Sequence, residues 1–546
     1  MRASSIAEPH KYPPGAEGNE RGAPSGSDQA PAGKGAGSPG RETNLSPASI
    51  GAGALVGFLA VAALSLLVVT PAPSYDPWSW LLWGREVAGG ELHTSEGPAL
   101  KPLPVAVCAA LSLLGSAAPL AWVLIARVGA VLAIVLAFRL GRRLSSGSAL
   151  AGGLAAAGVA LCGGYLSYAS SGLATGWLLA LALGGVEAWR AGRPRLALAC
   201  AVGCGLLQVE TWPFLAALGV VLWRRRPEDR PSIASVALAV PALWFVPELL
   251  GSGDILRSAT RARIPNEGQP ALADVPGLAS MWEAVQLPLW PLWVGVAALA
   301  TTVLRSRAGR RRRVERGTTG TRALVPAAVG LAWIAIVAAM AQLGGFSGEP
   351  RYALPGMALI AVSGAVGLVT AGRPGDQVAA GGLASPRRPG AQPASGGLAG
   401  RRRPGAQPAS GGPAGRRLAR VALLAATGLL ALAAAPRLDD VVALRDAQSY
   451  QWELQSDLAD AIAAAGGRDA LLSCGQPYVG RFRGPLAAYR LDVPKHAVEP
   501  DLTPAAPGVV LSSRLHRGAP VLPAASPPFA ELARTERWRV LQACER

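Results

Sequence analysis

The residues able to do chemistry crowd into one stretch, 75–105, YDPWSWLLWGREVAGGELHTSEGPALKPLPV, directly after the first apolar run. It holds Asp76, Glu86, a Lys101-Pro102 pair and the tryptophans Trp78, Trp80 and Trp83. A carboxylate at a membrane exit can take the proton of an attacking hydroxyl, which is general-base chemistry. The same residues suit a structural role. Asp76 before Pro77 reads as an N-cap with proline at the first helical position, and the tryptophans would anchor that helix at headgroup depth. Both roles can hold, because a cap fixes the carboxylate in space. Glu86, on another face of the helix, suits an accessory acid or a solvated charge. Lys101 suits a phosphate contact or a side chain that snorkels to the interface.

Further along, Arg127 falls inside the apolar run 119–140, where a charge faces a cavity or a partner. Glu210 sits in a polar turn between the runs 196–208 and 212–223, as an accessory acid or a solvated turn residue. The segment from Gly251 carries Asp254, Arg257, Arg261 and Arg263, and suits binding of an anionic headgroup or lipid phosphate. Arg351-Tyr352 opens a later apolar run, and a guanidinium there can hold a phosphate with two hydrogen bonds.

The elements that must position these residues are membrane helices. In 546 residues, 51% are hydrophobic and mean hydropathy is +0.31. Apolar runs of about 17 to 25 residues recur, enough to cross a bilayer core of roughly 30 Å. The expected fold is mainly α: a polytopic membrane helix bundle of about eleven spans with a small α/β C-terminal domain. The spans read as 51–70, 119–140, 149–167, 173–189, 196–208, 212–223, 232–250, 287–304, 323–343, 353–371 and 418–435. The run 103–117 is shorter and opens with Lys-Pro-Leu-Pro, as a re-entrant or interfacial helix would. Arginine clusters such as RSRAGRRRRVER then fall on one side, the cytoplasmic side, with the N-terminus.

The domain layout follows. Residues 1–46 form a disordered cytoplasmic tail. Residues 47–371 form the transmembrane domain, with outer loops 71–118 and 251–286. Residues 372–417, with RRPGAQPASGG repeated from Arg387 and Arg402, form a disordered cytoplasmic linker. The last span, 418–435, leads to an extracytoplasmic domain, 436–546. In it, 439–465 has helical periodicity, and 470–474, 508–512 and 538–542 read as strands. Cys474 and Cys544 lie at or just beyond strand ends in that domain and suit a disulfide. Cys108, Cys162, Cys200 and Cys204 lie in apolar runs and read as small buried hydrophobes.

Some functions lack their signature. The formal charge of +18 comes from arginines in short loops without the interleaved aromatics of a single-strand binder, so nucleic acid is not the expected partner. Cys200 and Cys204 share a helix face without the His or carboxylate of a metal site. No Walker A or GxGxxG motif is visible in a strand–helix context. No metal site and no cofactor are expected, and the sequence leaves a divalent cation open.

In the order and spacing of Asp76, Lys101-Pro102-Leu103-Pro104 and Arg127, the chain resembles the GT-C superfamily of membrane glycosyltransferases, in particular its protein O-mannosyltransferase and aminoarabinose transferase type. It is also similar to uncharacterised actinobacterial members that share DPWxWLxWGRE, GSGDxLR…ARxPN and RYxLP, here at Asp76, Gly251–Asn266 and Arg351–Pro355. The resemblance covers about 51–371. It implies a multi-pass plasma-membrane enzyme with its C-terminal domain outside. That enzyme moves a hexose or pentose from a polyprenyl-phosphate donor to an envelope glycan, lipid or protein, with inversion and with membrane lipids around it. Asp76 would be the base; Lys101, Arg127, Arg257, Arg261, Arg351 and Tyr352 would hold donor phosphate or substrate. The chain departs from the family in two places: Asp-Pro replaces Asp-Glu, and Ser170–Thr175 lacks the second acidic residue. A scaffold that binds lipid-linked sugar without transferring it, or a lipid or solute transporter, are the competing classes.

Overall fold

The computed structural model describes residues 47–308, 314–371 and 413–544. The expected tail, 1–46, and nearly all of the expected linker, with its repeat, lie outside the described residues. The chain divides into Met1–Ala52, of which only the helical 47–52 is described, and Gly53–Arg546.

The fold is mainly helical with one small sheet. The first helices are α1 (Pro47–Ser65), α2 (Tyr75–Gly89), α3 (Pro102–Leu111), α4 (Ala118–Leu144), α5 (Ala149–Ala160), α6 (Tyr165–Ser170) and α7 (Thr175–Arg190). Then follow α8 (Pro194–Leu207), α9 (Trp212–Arg225), α10 (Arg230–Ser252), α11 (Arg257–Ala262), α12 (Pro276–Val285), α13 (Trp290–Ala308), α14 (Val314–Gly344) and α15 (Pro350–Ala371). The C-terminal part has α16 (Pro413–Ala464), α17 (Arg468–Cys474) and α18 (Gly484–Leu491), with strands β1 (Gln476–Tyr478), β2 (Gly508–Arg514), β3 (Val521–Leu522), β4 (Ala530–Arg534) and β5 (Trp538–Ala543).

Four helical stretches are long and apolar enough to cross a membrane among the described residues: Pro102–Leu144, Pro227–Ser252, Gly320–Gly344 and Pro350–Thr370. A fifth is the pair Pro276–Val285 and Trp290–Arg305, bent by 94°. The expected span 149–167 is instead two pieces, α5 of 12 residues and α6, because Gly164 takes φ 74° between them. α15 is the most enclosed of the spans, with 89% of its apolar window buried. Small residues allow this: a side chain at Gly364 would meet the Leu292 backbone of α13, and one at Gly356 would meet Gly330 of α14, so the helices pack backbone to backbone.

The sheet runs β1-β2-β5-β4, with β3 on β2. β1 is parallel to β2 and the other pairs are antiparallel. The expected strand at 470–474 is the helix α17. A short apolar run between breakers fits a buried helix as well as a strand, and Gly467 and Gly475, both at positive φ, delimit two helical turns here. Cys474 and Cys544 are joined as a disulfide that ties α17 to the end of β5. α16 is one helix of 52 residues. It continues through Pro436 and lies against the sheet, where Trp538 Nε1 donates to the Leu454 carbonyl at 2.8 Å.

Candidate active site

α2 is the hub. Its N-cap is Ser74, not Asp76. The helix begins two residues earlier than expected because proline is tolerated throughout the first turn, where N–H groups have no intrahelical acceptor. Asp76 therefore sits inside that turn with its carboxylate free to face other elements. The tryptophans are buried in protein rather than turned to lipid, because each side of α2 meets protein. Trp78 packs on Tyr489 of α18 at 5.1 Å. Trp80 packs edge-on against Trp122 of α4 at 5.6 Å. Trp83 Nε1 donates to the His93 carbonyl at 3.0 Å. α2 thus joins the helix bundle, the C-terminal domain and its own return loop.

The connections around Asp76 are fixed on both sides. Ser74 N–H donates to the Ser171 carbonyl at 2.9 Å, and the Gln455 carboxamide of α16 donates to the Pro73 carbonyl at 2.8 Å. The return loop 90–101 is also tied down. The His93 N–H donates to Glu86 at 2.9 Å, Thr94 N–H to Gly251 O at 3.0 Å, and Leu100 N–H to Ser258 Oγ at 2.8 Å. α3 then runs against α2 at Gly84, where an added Cβ would lie 2.6 Å from the Ala109 nitrogen and the Cys108 Cβ. Only glycine permits that approach.

This frame brings five separated positions together. Asp76 Oδ2 pairs with Arg351 Nη1 at 3.0 Å. Arg351 Nε pairs with Glu349 at 2.5 Å, and its Nη2 donates to the Tyr352 hydroxyl at 3.2 Å. Gln269 donates to Glu349. Lys101 Nζ lies 5.5 Å from the Trp80 ring and, among the described residues, has no hydrogen-bond or ion-pair partner. Burial and the nearby Arg351 charge pull its ammonium down, against the pull of Asp76, Glu210 and Glu349. Glu210 is buried in the α8–α9 turn, and its Oε2 has no partner among the described residues. Burial pushes its carboxyl up, and the charges of Lys101 and Arg351 oppose this. A second acid therefore reaches the cluster from a turn, not from the 170–175 segment.

A narrow cleft, with ≈ 10 Å³ open to a water-sized sphere, lies beside the cluster and is lined by Lys101, Arg351, Ala174, Thr175 and Gln208 among others. Ala174 is the N-cap of α7 and provides no capping side chain. Thr175, the first residue of α7, lines the cleft, and a helix N-terminus favours an anion. A lysine, an arginine and a helix N-terminus around one space form an anion site next to a carboxylate.

Other sequence candidates lie elsewhere. Arg127 donates to Ser65 Oγ at 2.9 Å, Val69 O at 2.9 Å and Thr70 O at 3.2 Å. It clamps the chain leaving α1 instead of reaching the cleft. Arg257 pairs with the buried Glu248 at 3.0 Å and donates to the carbonyls of Gly97 and Pro98; it braces the return loop. Arg261 donates to the Ile264 carbonyl at 3.0 Å, and its charge acts on Tyr75, whose hydroxyl burial pushes up to about 12. Glu86 serves the loop, and burial pushes its carboxyl up to about 7. Sequence reasoning did not nominate Glu349, Gln269, Gln208 or Thr175. Glu349 had a signal, two residues from Arg351 in one short loop.

No protein-family model matches the chain, and no curated protein matches it. Among solved structures, ArnT from Cupriavidus metallidurans bound to undecaprenyl phosphate is similar over 90% of this chain and 98% of that one, at 15% identity and a TM-score of 0.48. The same protein in the apo state is similar over 90% of this chain and 98% of that one, at 16% identity and a TM-score of 0.45.

Proposed function

We propose that this chain is a GT-C-type membrane glycosyltransferase that moves a sugar from a polyprenyl phosphate to an acceptor hydroxyl at the outer face of the plasma membrane. One observation carries the reading: a cleft lined by an ammonium, Lys101, that has no hydrogen-bond or ion-pair partner among the described residues adjoins a carboxylate, Asp76, at the first helix after α1. The sequence resemblance supplies the donor class.

The chemistry follows from the geometry. Donor phosphate enters the cleft and is held by Lys101, Arg351 and the first amides of α7. It competes with Asp76 for Arg351, so donor binding frees the carboxylate. Asp76 then takes the acceptor proton as the acceptor oxygen attacks the anomeric carbon, and the bond from that carbon to the phosphate oxygen breaks. A single displacement inverts the centre. Lys101 and Arg351 stabilise the charge growing on the departing phosphate. Glu210, whose carboxyl burial pushes up, lies within electrostatic reach of Lys101 and Arg351. Glu349 and Gln269 orient Arg351.

In this reading the bundle has about eleven spans, with the arginine-rich loops, the tail 1–46 and the linker 372–417 cytoplasmic. The domain 436–546 is extracytoplasmic; a disulfide in it suits an oxidising compartment.

The test is Asp76→Asn in a deletion strain, with envelope glycans read by mass spectrometry and undecaprenyl phosphate binding measured on the purified protein. We expect binding to persist and transfer to fall by about 100-fold or more, the scale of a general base. A glycan lost on deletion and fully restored by Asp76→Asn would exclude Asp76 as base and favour a binding or scaffold protein.

A further inference from the structure

We propose that Phe482 and Tyr75 form an acceptor subsite that takes a sugar ring of a glycan beside Asp76; this rests on the transferase reading above. Phe482 lies between β1 and α18 in the C-terminal domain, and the residue is 47% exposed. Its φ is +67°, a left-handed conformation that a bulky residue adopts only under strain. Such strain persists when the surroundings over-determine it, and it concentrates at ligand clamps.

Both flanks are fixed. Gly480, at φ +73°, abuts Pro523. Arg483 is buried, donates to the Leu522 carbonyl at 3.0 Å and lies 5.9 Å over the Trp538 ring. The chain is held on either side so that Phe482 projects outward, where a soluble domain would ordinarily place a polar residue. What it meets is Tyr75, edge to face at 6.3 Å and 81°, the residue adjoining the base. With this contact made, Phe482 remains exposed.

The rim is charged. Arg481 is exposed next to Phe482, and the charges of Arg261 and Glu96 both act on Tyr75. A pyranose or furanose ring presents C–H groups on its faces and hydroxyls at its edge. An aromatic floor with hydrogen-bonding charges around it matches that pattern. A peptide acceptor would ask instead for a free strand edge. β1, the strand leading to Phe482, has its outer edge taken: Val479 N–H donates to Glu499 O at 3.1 Å, and Glu499 N–H to Pro477 O at 2.8 Å.

The test uses the full chain in lipid nanodiscs. Saturation-transfer NMR would be recorded with neutral oligosaccharides of mannose, galactose, glucose and arabinose, and with a Ser/Thr-rich peptide. Undecaprenyl phosphate binding is measured in parallel. We expect one oligosaccharide series to be saturated by wild type, to weaken by about ten-fold or more in Phe482→Ala, as loss of an aromatic stacking platform does, and to recover in Phe482→Trp. Polyprenyl phosphate binding should be equal in all three proteins. The subsite is overturned if no oligosaccharide binds, if Phe482→Ala binds as wild type does, or if the peptide is the ligand lost. Failure of wild type to bind undecaprenyl phosphate would instead overturn the transferase reading.

Discussion

Two cationic centres gather around α2 and its return loop, and they are built differently. At Arg257 every hydrogen bond ends on protein: Glu248, which is fully enclosed, and the carbonyls of Gly97 and Pro98. At the Asp76 cluster, Arg351 is shared among Asp76, Glu349 and Tyr352, while Lys101 has only the Trp80 ring. Both centres join residues far apart in sequence, and both are largely shielded from water. The difference is that the first is complete and the second is not. A buried charge without a hydrogen-bonding partner is costly, so it points to something that arrives from outside, whereas a saturated guanidinium is a strut.

This contrast can be broken experimentally, and the largest effect belongs to the strut. Arg257→Met leaves Glu248 as a buried charge without its partner, and unfolding free energy should fall by about 3–5 kcal/mol. Tryptophan-fluorescence melts of the detergent-solubilised protein would show it, and an unchanged melt would remove the bracing role. Lys101→Met should do the opposite. Burial already disfavours that ammonium, so its melting temperature should hold or rise, while undecaprenyl phosphate binding drops by about ten-fold or more, the scale of a charge-assisted contact. If the Lys101 variant melted as low as the Arg257 variant, the distinction between site and strut would fail.

The smallest effect is at Glu86, between the two centres. Its carboxyl is raised from an ordinary 4.5 to about 7. The native state then binds the proton more tightly than the unfolded chain, so this contribution is fully present below about pH 4.5 and is lost as pH rises through about 7. Glu86→Gln should flatten the fall in melting temperature across that window. A slope equal to that of wild type would place the titration elsewhere.

What the sequence revealed follows the same division. Asp76, Lys101 and Arg351 were legible because each is polar at the edge of an apolar run, where only a specific partner explains it. Arg127 and Arg257 met the same criterion and do other work. Sequence shows that a charge must be satisfied, not whether protein or ligand satisfies it; the carbonyls of Val69 and Gly97 carry no letter of their own. The tryptophans of α2 were misplaced because a Trp at a membrane exit looks alike whether lipid or protein covers it, and α18, over four hundred residues away, is the cover. Glu210 reads from sequence as an accessory acid or a solvated turn residue for the same reason: its burial involves α14, over a hundred residues away, as well as the adjoining α8 and α9. The helix at 468–474 was missed because two turns of apolar residues between glycines satisfy either periodicity.

The contact at Gly84 has a consequence for how such a chain can change over time. Asp76 lies in the first turn of α2 and Lys101 immediately precedes α3, so the separation of the two is set where those backbones touch, by the absence of a side chain. Residues that line the cleft, such as Leu173, Leu178 and Leu207, are not part of that contact. On the transferase reading they are free to vary and retune which donor fits, while the separation of Asp76 from Lys101 is inherited unchanged. Drift is permitted in the walls and forbidden in the hinge between them.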